Sequence, residues 1–443
     1  MKRIGLALAA ILLFSPLAAQ TPAGPVVQKP RGPAPAPALA EGKSIETWTP
    51  ERPNNAPLFP EQTRAPYRAS APFTITTVTD KLHVPWGMDF LPDGKVLLTE
   101  RLPGSLRIVD ATGTISPPLA GVAAASRTPG YGLLDVALDP DFRRNNRIFF
   151  TFFEVGPSNP PPGNTNSNTY VARATLDVAG NAVRNVEVIF RSAPAWPSRR
   201  MGGKTGGRIA FDRGGNLLIV YGDRDDNPQQ TVPDWMAAQK LDNHLGKTIR
   251  ITPDGKAPAD NPFLKTPGAL PEIWSIGHRS PQGIAFEPGT GRLWQAEMGP
   301  RGGDEVNVLE RGKNYGWPVI THGIDYPGSI ISEISQKDGM EQPAYYWDPS
   351  RNPSGIAFYD GKLFPQWRGS LFVAMLNGKF LDRLTIKNGK VVAEEPMLMQ
   401  FNTRIRDVGV GPDGAVYVLT DSGTESIGPS LSPTSKLLKL TPK

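Results

Sequence analysis

From Phe73 onward, short apolar runs of β-branched and aromatic residues alternate with breaks of Gly, Pro, Asp and Asn, and almost no segment holds the 3.6-residue spacing of a helix. This pattern predicts an all-β chain. One phrase recurs: a short strand, a turn built from Pro, Asp or Gly, and a second strand ending in a polar residue. It is found at MDFLPDGKVLLTE (from Met88), VALDPDFRRNNRIFFTFFE (from Val136), IAFDRGGNLLIVYGD (from Ile209), IAFEPGTGRLWQAE (from Ile284), IAFYDGKLFPQWRGSLFVAM (from Ile356) and VGVGPDGAVYVLTD (from Val408). Six hairpins of one type, roughly 50 to 75 residues apart, predict a six-bladed β-propeller with one hairpin per blade and insertions of unequal length. The turn dipeptides supply the positive φ of a tight turn, and the flanking apolar runs pack between blades. A pair of β-sandwiches is the competing fold, but it does not call for the same hairpin six times. In a propeller the loops of all blades meet at a central channel, where residues distant in sequence converge on a ligand.

Upstream of this pattern the chain differs in kind. The start, MKRIGLALAAILLFSPLAAQ, carries Lys2 and Arg3, an apolar run from Ile4 to Leu17 and small residues at Ala18 and Ala19, as a secretory leader does. The expectation is export to the periplasm or medium with residues 1–20 removed. The alternative is a retained anchor, although the run is short of the about 20 residues that span a bilayer. No later segment reaches that length without charge or proline. Residues 21–72 are rich in Pro and Ala and cannot bury enough apolar surface to fold alone. They are expected to form a tether and then a surface-wrapping extension, with Trp48, Phe59 and Tyr67 as possible pins. The propeller is assigned to 73–443.

Composition narrows the classes of function. The chain has 443 residues, enough for a large core, a formal net charge of +6 and 20% charged residues with no basic run, which argues against a nucleic-acid groove. It has no cysteine, and so no disulfide, thiolate metal site or cysteine-linked lipid.

The stretch Ile273 to Pro318, IWSIGHRSPQGIAFEPGTGRLWQAEMGPRGGDEVNVLERGKNYGWP, is the richest in chemically specific residues. Its Gly-rich loop brings Asp304 and Glu305 together with accessible backbone carbonyls, the hard oxygen donors that calcium prefers, although acidic Gly-rich turns are more often only solvated. The run MGGKTGG lacks the spacing of a phosphate loop and precedes a strand, not a helix. The PSNPPPGNTNSNT stretch from Pro157 reads as a long loop at the channel rim or on the surface. No pair of histidines has a spacing that demands zinc.

GYGLLDVALDPDF, GGRIAFD followed by VYGD, LDNHLGKTIRI with DNPF, IWSIGHRSPQGIAF, AEMGPRGGDEVNVLERGKNYGWP and RIRDVGVGPDG, in this order, resemble the glucose/sorbosone dehydrogenase family. That family includes soluble quinoprotein glucose dehydrogenase and the aldose sugar dehydrogenases. The resemblance implies a six-bladed propeller that binds pyrroloquinoline quinone (PQQ) over its channel with calcium. It also implies an aldose, or a related polyol or aldehyde, as the small-molecule substrate, oxidised by hydride transfer to the quinone, with a periplasmic electron acceptor. Gly299 and Pro300 match backbone ligands of the cofactor's calcium, and Glu305 and Tyr315 match a second calcium position. Arg279, Tyr326, Arg404 and Arg406 match cofactor-contacting positions. Asp223 matches the carboxylate that orients the family's catalytic histidine.

Four matched positions depart from the family pattern. The catalytic histidine is replaced by Lys204, a cofactor-contacting Gln by Gly130, a Lys by Asn377, and the Asn after GHR by Ser280. A lysine base must work in its neutral form, which a neighbouring Asp223 carboxylate disfavours. A Lys204–Asp223 ion pair is therefore the plainer expectation, followed by a catalytic lysine or by a cation that faces an acidic ligand. Of the four histidines, His278 and His244 fall in phrases the family shares and are expected to be structural, and His83 lies in a loop. His322 is the better replacement base. Two further readings stay open: a calcium-binding propeller that has lost redox catalysis and binds a sugar or acidic ligand, and, more weakly, a calcium-dependent lactonase.

Overall fold

Each of the six hairpins forms the first two strands of a separate antiparallel sheet. In the computed structural model the described residues are 36–52, 56–102, 104–124, 132–155, 165–193, 196–198, 204–224, 235–422 and 434–443. The leader and Gly130 lie outside them. Blade one is Pro85–Phe90, Val96–Glu100 and Ser105–Val109. Blade two is Leu133–Leu138, Arg147–Val155, Thr165–Asp177 and Ala182–Arg191, with Trp196–Ser198 paired to the start of its third strand. The Pro-rich part of the stretch expected to be a long loop lies outside the described residues, and the last part of that stretch, from Thr165, is strand. Blade three is Gly206–Phe211, Leu217–Tyr221, Lys247–Ile251 and Ile273–Ile276. Blade four is Pro281–Phe286, Leu293–Glu297, Asp304–Leu309 and Tyr345–Trp347. Blade five is Pro353–Phe358, Leu371–Met375, Leu381–Lys387 and Lys390–Met397. Blade six is Arg404–Val410, Val416–Asp421 and Ser435–Pro442, closed on its outer edge by Phe73–Leu82 from the other end of the chain.

The core follows from period-two alternation on strands that are covered on both faces. Leu217, Ile219 and Tyr221 point into the seam with blade two, while Leu218 and Val220 of the same strand point into the seam with blade four. Each remaining seam has its own buried cluster, so the hydrophobic core is a ring of six interfaces.

The first strands of the blades line the channel and contact one another in order around the ring. Arg208 ties them at the axis. Its Nη1 lies 3.1 Å from Asp135 Oδ1 of blade two and 2.9 Å from Asp407 Oδ2 of blade six. Its Nε donates to the Gln282 carbonyl of blade four at 3.1 Å, and its guanidinium sits 4.2 Å from the Trp86 ring centroid of blade one. Blade five contributes Gly355, where a Cβ would come within 1.9 Å of Asp407 Oδ1.

Residues 36–52 and 56–72 form a strap over the seam between blades four and five. Ile45 and Ala65 enter that seam's core. Pro66 and Arg68 exchange backbone hydrogen bonds with Glu394 on the outer strand of blade five. Of the three expected pins, Tyr67 packs partly buried against the seam and Phe59 takes the Lys390 ammonium 4.8 Å from its ring, while Trp48 offers its carbonyl to Arg64 at 2.6 Å.

Candidate functional site

In an antiparallel hairpin the start of the first strand lies beside the end of the second. Residues just before the six inner strands and just after their partners therefore share one mouth of the channel. Lys204, Arg279, Asn352 and Arg404 sit at or just ahead of inner strands, and Asp223, Gly299, Asn377 and Asp421 at or just beyond second strands.

Lys204 adopts φ +46°, a region that costs a non-glycine residue about 1–3 kcal/mol. Its carbonyl lies so close to Gly222 that a Cβ there would approach to 1.9 Å. The side chain reaches inward and places Nζ 3.6 Å from Asp223 Oδ1, with both side chains at least nine-tenths buried. The Lys204 ammonium has no hydrogen-bond partner among the described residues. Asp223 accepts from Trp317 Nε1 at 2.7 Å, and its backbone N–H donates to the Arg279 carbonyl at 2.8 Å.

Arg279 is the hub. Its Nη1 donates to the Met298 and Gly299 carbonyls at 2.8 and 2.7 Å, and its Nη2 to the Tyr326 hydroxyl at 3.3 Å. The guanidinium lies 5.4 Å from the Trp317 ring centroid, and its buried Nε has no partner among the described residues. Tyr326 is half exposed, and Arg279 first and then Lys204 draw its phenol below the usual range. Lys204, Asp223, Arg279, Tyr326 and Gly299 thus form one connected group.

Arg404 and Arg406 meet on Asp421, at 3.5 and 2.7 Å from Oδ2. Burial, together with the neighbouring charges of Arg404 and Arg208, lowers the Arg406 pKa against the pull of Asp421. The buried Arg404 Nε has no hydrogen-bond partner among the described residues. Asn377 donates to Asn352 Oδ1 at 2.8 Å. The backbone N–H of Asn352 donates to Asp304 Oδ2, while Asp304 Oδ1 accepts from the Gly299 N–H at 2.8 Å. Pro300 is buried in the same loop, and Ser280 is buried with its carbonyl accepting from the Met298 N–H. Burial raises the Asp304 carboxyl to about 6.

Glu305 stands directly opposite Glu297 on the adjacent strand, and Asn307 Nδ2 bridges them at 3.1 and 3.0 Å. Burial first, and then Glu297 and Asp304, raise the Glu305 pKa well above the usual range. Asn307 Oδ1 is buried without a partner among the described residues. The Tyr315 hydroxyl donates to the Val308 carbonyl and accepts from the Glu310 N–H, while its ring stacks on His278 at 4.9 Å. Glu305 and Tyr315 are therefore linked through His278 and Glu297, which lie 3.1 Å apart. Among the described residues no three His, Cys, Asp or Glu side chains cluster as a metal site.

The other histidines are held elsewhere. His244 accepts from the Ala193 N–H and faces Glu272 at 3.6 Å. His322 stacks on Tyr346 at 3.9 Å, and burial lowers its pKa to about 4.

Trp317, Asp421 and Asn352 also belong to the mouth, although sequence reasoning assigned them no role, and Asp304, expected as an oxygen donor for calcium, instead accepts backbone N–H groups of Gly299, Arg351 and Asn352. Asp421 had a readable signal, since it ends the sixth hairpin as Asp223 ends the third.

The model of the glucose/sorbosone dehydrogenase family matches residues 82–428. The chain belongs to this family. It is 40% identical over 379 residues to aldose sugar dehydrogenase YliI of Escherichia coli K12, covering 85% of this chain and 95% of that protein. The crystal structure of the soluble aldose sugar dehydrogenase from Escherichia coli in the apo form superposes with a TM-score of 0.73 at 38% identity, covering 84% of this chain and all of that one. The PQQ-bound aldose sugar dehydrogenase from Streptomyces coelicolor superposes with a TM-score of 0.65 at 27% identity, covering 84% and 99%. The family match begins at residue 82, so the strap lies outside it.

Proposed function

We propose that this chain is an exported, PQQ- and calcium-dependent oxidoreductase that oxidises an aldose or a related polyol or aldehyde and passes electrons to a periplasmic acceptor. The observation that carries the reading is the excess of buried cations at the mouth. Lys204 pairs with Asp223, and Arg404 and Arg406 share Asp421, while Arg279 donates to two carbonyls and the Tyr326 hydroxyl; Lys204, Arg279 and Arg404 each keep a buried nitrogen without a hydrogen-bond partner among the described residues. Buried donors left over in this way suit a polyanionic ligand, because an unpaired buried charge is costly. The donor set therefore fits PQQ.

Bound PQQ supplies a quinone that accepts a hydride, and calcium supplies Lewis acidity beside it. Arg279 and Arg404 would hold the cofactor's acidic groups, with Tyr326 donating from the rim and Asn377 contributing from blade five. Gly299 and Pro300 would hold the cofactor's calcium through backbone carbonyls. The Gly299 carbonyl bonded to Arg279 keeps a second lone pair. Glu305, with Asn307 Oδ1 beside it, offers oxygen donors for a second ion near Tyr315, and a cation there would let the Glu305 carboxyl ionise. Asp223 fixes the Lys204 ammonium, and Trp317 fixes Asp223. The substrate's hydroxyl proton would pass to Lys204 Nζ in its neutral form or to Asp223 Oδ1.

The Lys204–Asp223 contact also favours a second reading, since an ammonium held beside a carboxylate is not a base. In that reading the propeller keeps its ligand site and binds a sugar or acidic ligand without oxidising it. Titration of the purified chain with PQQ and calcium, followed by quinone absorbance and then by dye reduction with a panel of sugars, separates the two. Binding with dye reduction supports the oxidoreductase. Binding without reduction supports the second reading, and loss of both overturns the proposal. Lys204→His is expected to raise dye reduction if Lys204 alone limits the chemistry. The leader predicts a mature N-terminus close after Ala19, which N-terminal sequencing of the exported protein checks.

A further inference from the structure

The strap Ile45–Arg52 is anchored less by apolar residues than by buried charge, and its anchors lie one step from the mouth. Glu46 grips Arg351 with two hydrogen bonds of 2.7 Å, both side chains almost fully buried. The backbone N–H groups of Arg351 and Asn352 donate to Asp304, the carboxylate that also holds the Gly299 N–H, and the Arg351 carbonyl accepts from the Asn377 N–H. Glu51, itself buried, pairs with the partly buried Arg301 at 3.0 Å. Arg301 directly follows Pro300 and exchanges two backbone hydrogen bonds with Ile324, two residues before Tyr326. Arg52 donates to the Thr321 and Glu333 carbonyls, which flank the Tyr326 loop. The Glu51 N–H donates to Asp348 Oδ2 between these anchors.

Eight residues of the strap therefore hold three loops of the mouth: the Gly299–Gly303 loop, the Tyr326 loop and the Arg351–Asn352 turn. The ring of blades is itself closed elsewhere, where Phe73–Leu82 pairs with Ser435–Pro442. Buried ion pairs are weak evidence for stability but can select one geometry among several. We propose that Glu46 and Glu51 are positioning residues of the channel mouth, and that the strap, which lies upstream of the family match, holds the loops bearing Gly299, Pro300, Tyr326 and Asn352 in their ligand-ready arrangement. The loop arrangement stands independently of the proposed function. Only the effect on PQQ rests on that reading.

The test uses the full chain without added ligand, as wild type, Glu51→Gln and Glu51→Asp, with Arg52→Ala as a second route should the Glu51 variants fail to fold. Amide hydrogen exchange is read at Gly299, Arg301, Ile324, Arg351 and Asn352, whose N–H groups are bonded in these loops. Glu51→Gln is expected to speed exchange at Arg301 and Ile324 by about tenfold or more while strands Pro281–Phe286 and Pro353–Phe358 keep their protection. Glu51→Asp should recover part of the protection, and Arg52→Ala should act mainly at Ile324. Faster exchange spread over all blades with a matching fall in Tm would make the strap a merely structural brace and overturn the proposal, as would unchanged loop exchange. In parallel, the affinity for PQQ with calcium should fall in Glu51→Gln. If PQQ binds neither wild type nor variant, the functional reading fails while the exchange result still decides the role of the strap.

Discussion

Asp348 shows how one buried carboxyl can register pH. It accepts the Glu51 N–H on Oδ2, its Oδ1 has no hydrogen-bond partner among the described residues, and burial raises its pKa to about 7. A carboxyl whose folded pKa lies above its unfolded value adds stability that is full below about 4 and is lost as pH rises through about 7. Asp348→Asn retains an acceptor for Glu51 but cannot ionise. Wild type should therefore lose stability relative to the variant between pH 4 and pH 8, by roughly 1–4 kcal/mol at about 1.4 kcal/mol per pKa unit. Denaturation midpoints across that range check the slope, and parallel pH curves would refute it. Legibility at this scale was uneven. Lys204, Asp223, Arg279 and Tyr326 were each readable in their phrases. That one guanidinium joins Gly299 to Tyr326 was not, because such contacts are made between segments with no local signature.

At the scale of the element, the six hairpins were legible because each is specified locally, by a turn and two flanking apolar runs. The third and fourth strands of the blades were less so, since their partners are set by longer and more variable connections. The strap was expected as a tether and then a surface-wrapping extension, but its charged anchors were not legible for a physical reason. Its composition is poor in apolar residues, and its anchors Glu46, Glu51, Arg52 and Arg64 are of types that usually face water, whereas here their partners lie some 250 to 300 residues further along the chain. The inner strand Pro353–Phe358 carries its own test. Gly355→Ala places a Cβ against the buried Asp407 carboxylate and its backbone, which should cost about 1–3 kcal/mol in chemical denaturation. An unchanged midpoint would show that the strand yields.

For the whole molecule, Arg208 matters more than any other single side chain described at the axis, because its contacts reach blades one, two, four and six from blade three. Arg208→Met keeps much of the volume but leaves Asp135 and Asp407 buried without their shared cation. Burial already raises Asp407 to about 7 with the guanidinium present. The variant should lose about 3–5 kcal/mol at neutral pH, and less under acid conditions where both carboxyls are protonated. Equal losses at pH 5 and pH 8 would count against this account.

The outer edge of blade six is made by Phe73–Leu82 lying along Ser435–Pro442. The two ends of the propeller thus meet in one ladder, and the contact with the greatest separation along the chain is also the one that finishes the ring. Closing so long a loop carries a large entropic cost, and folds dominated by such pairings form slowly. Until the last strand exists, the first has an unsatisfied edge. The chain therefore stays an open arc throughout its synthesis, and the ring can form only after the final strand has been released.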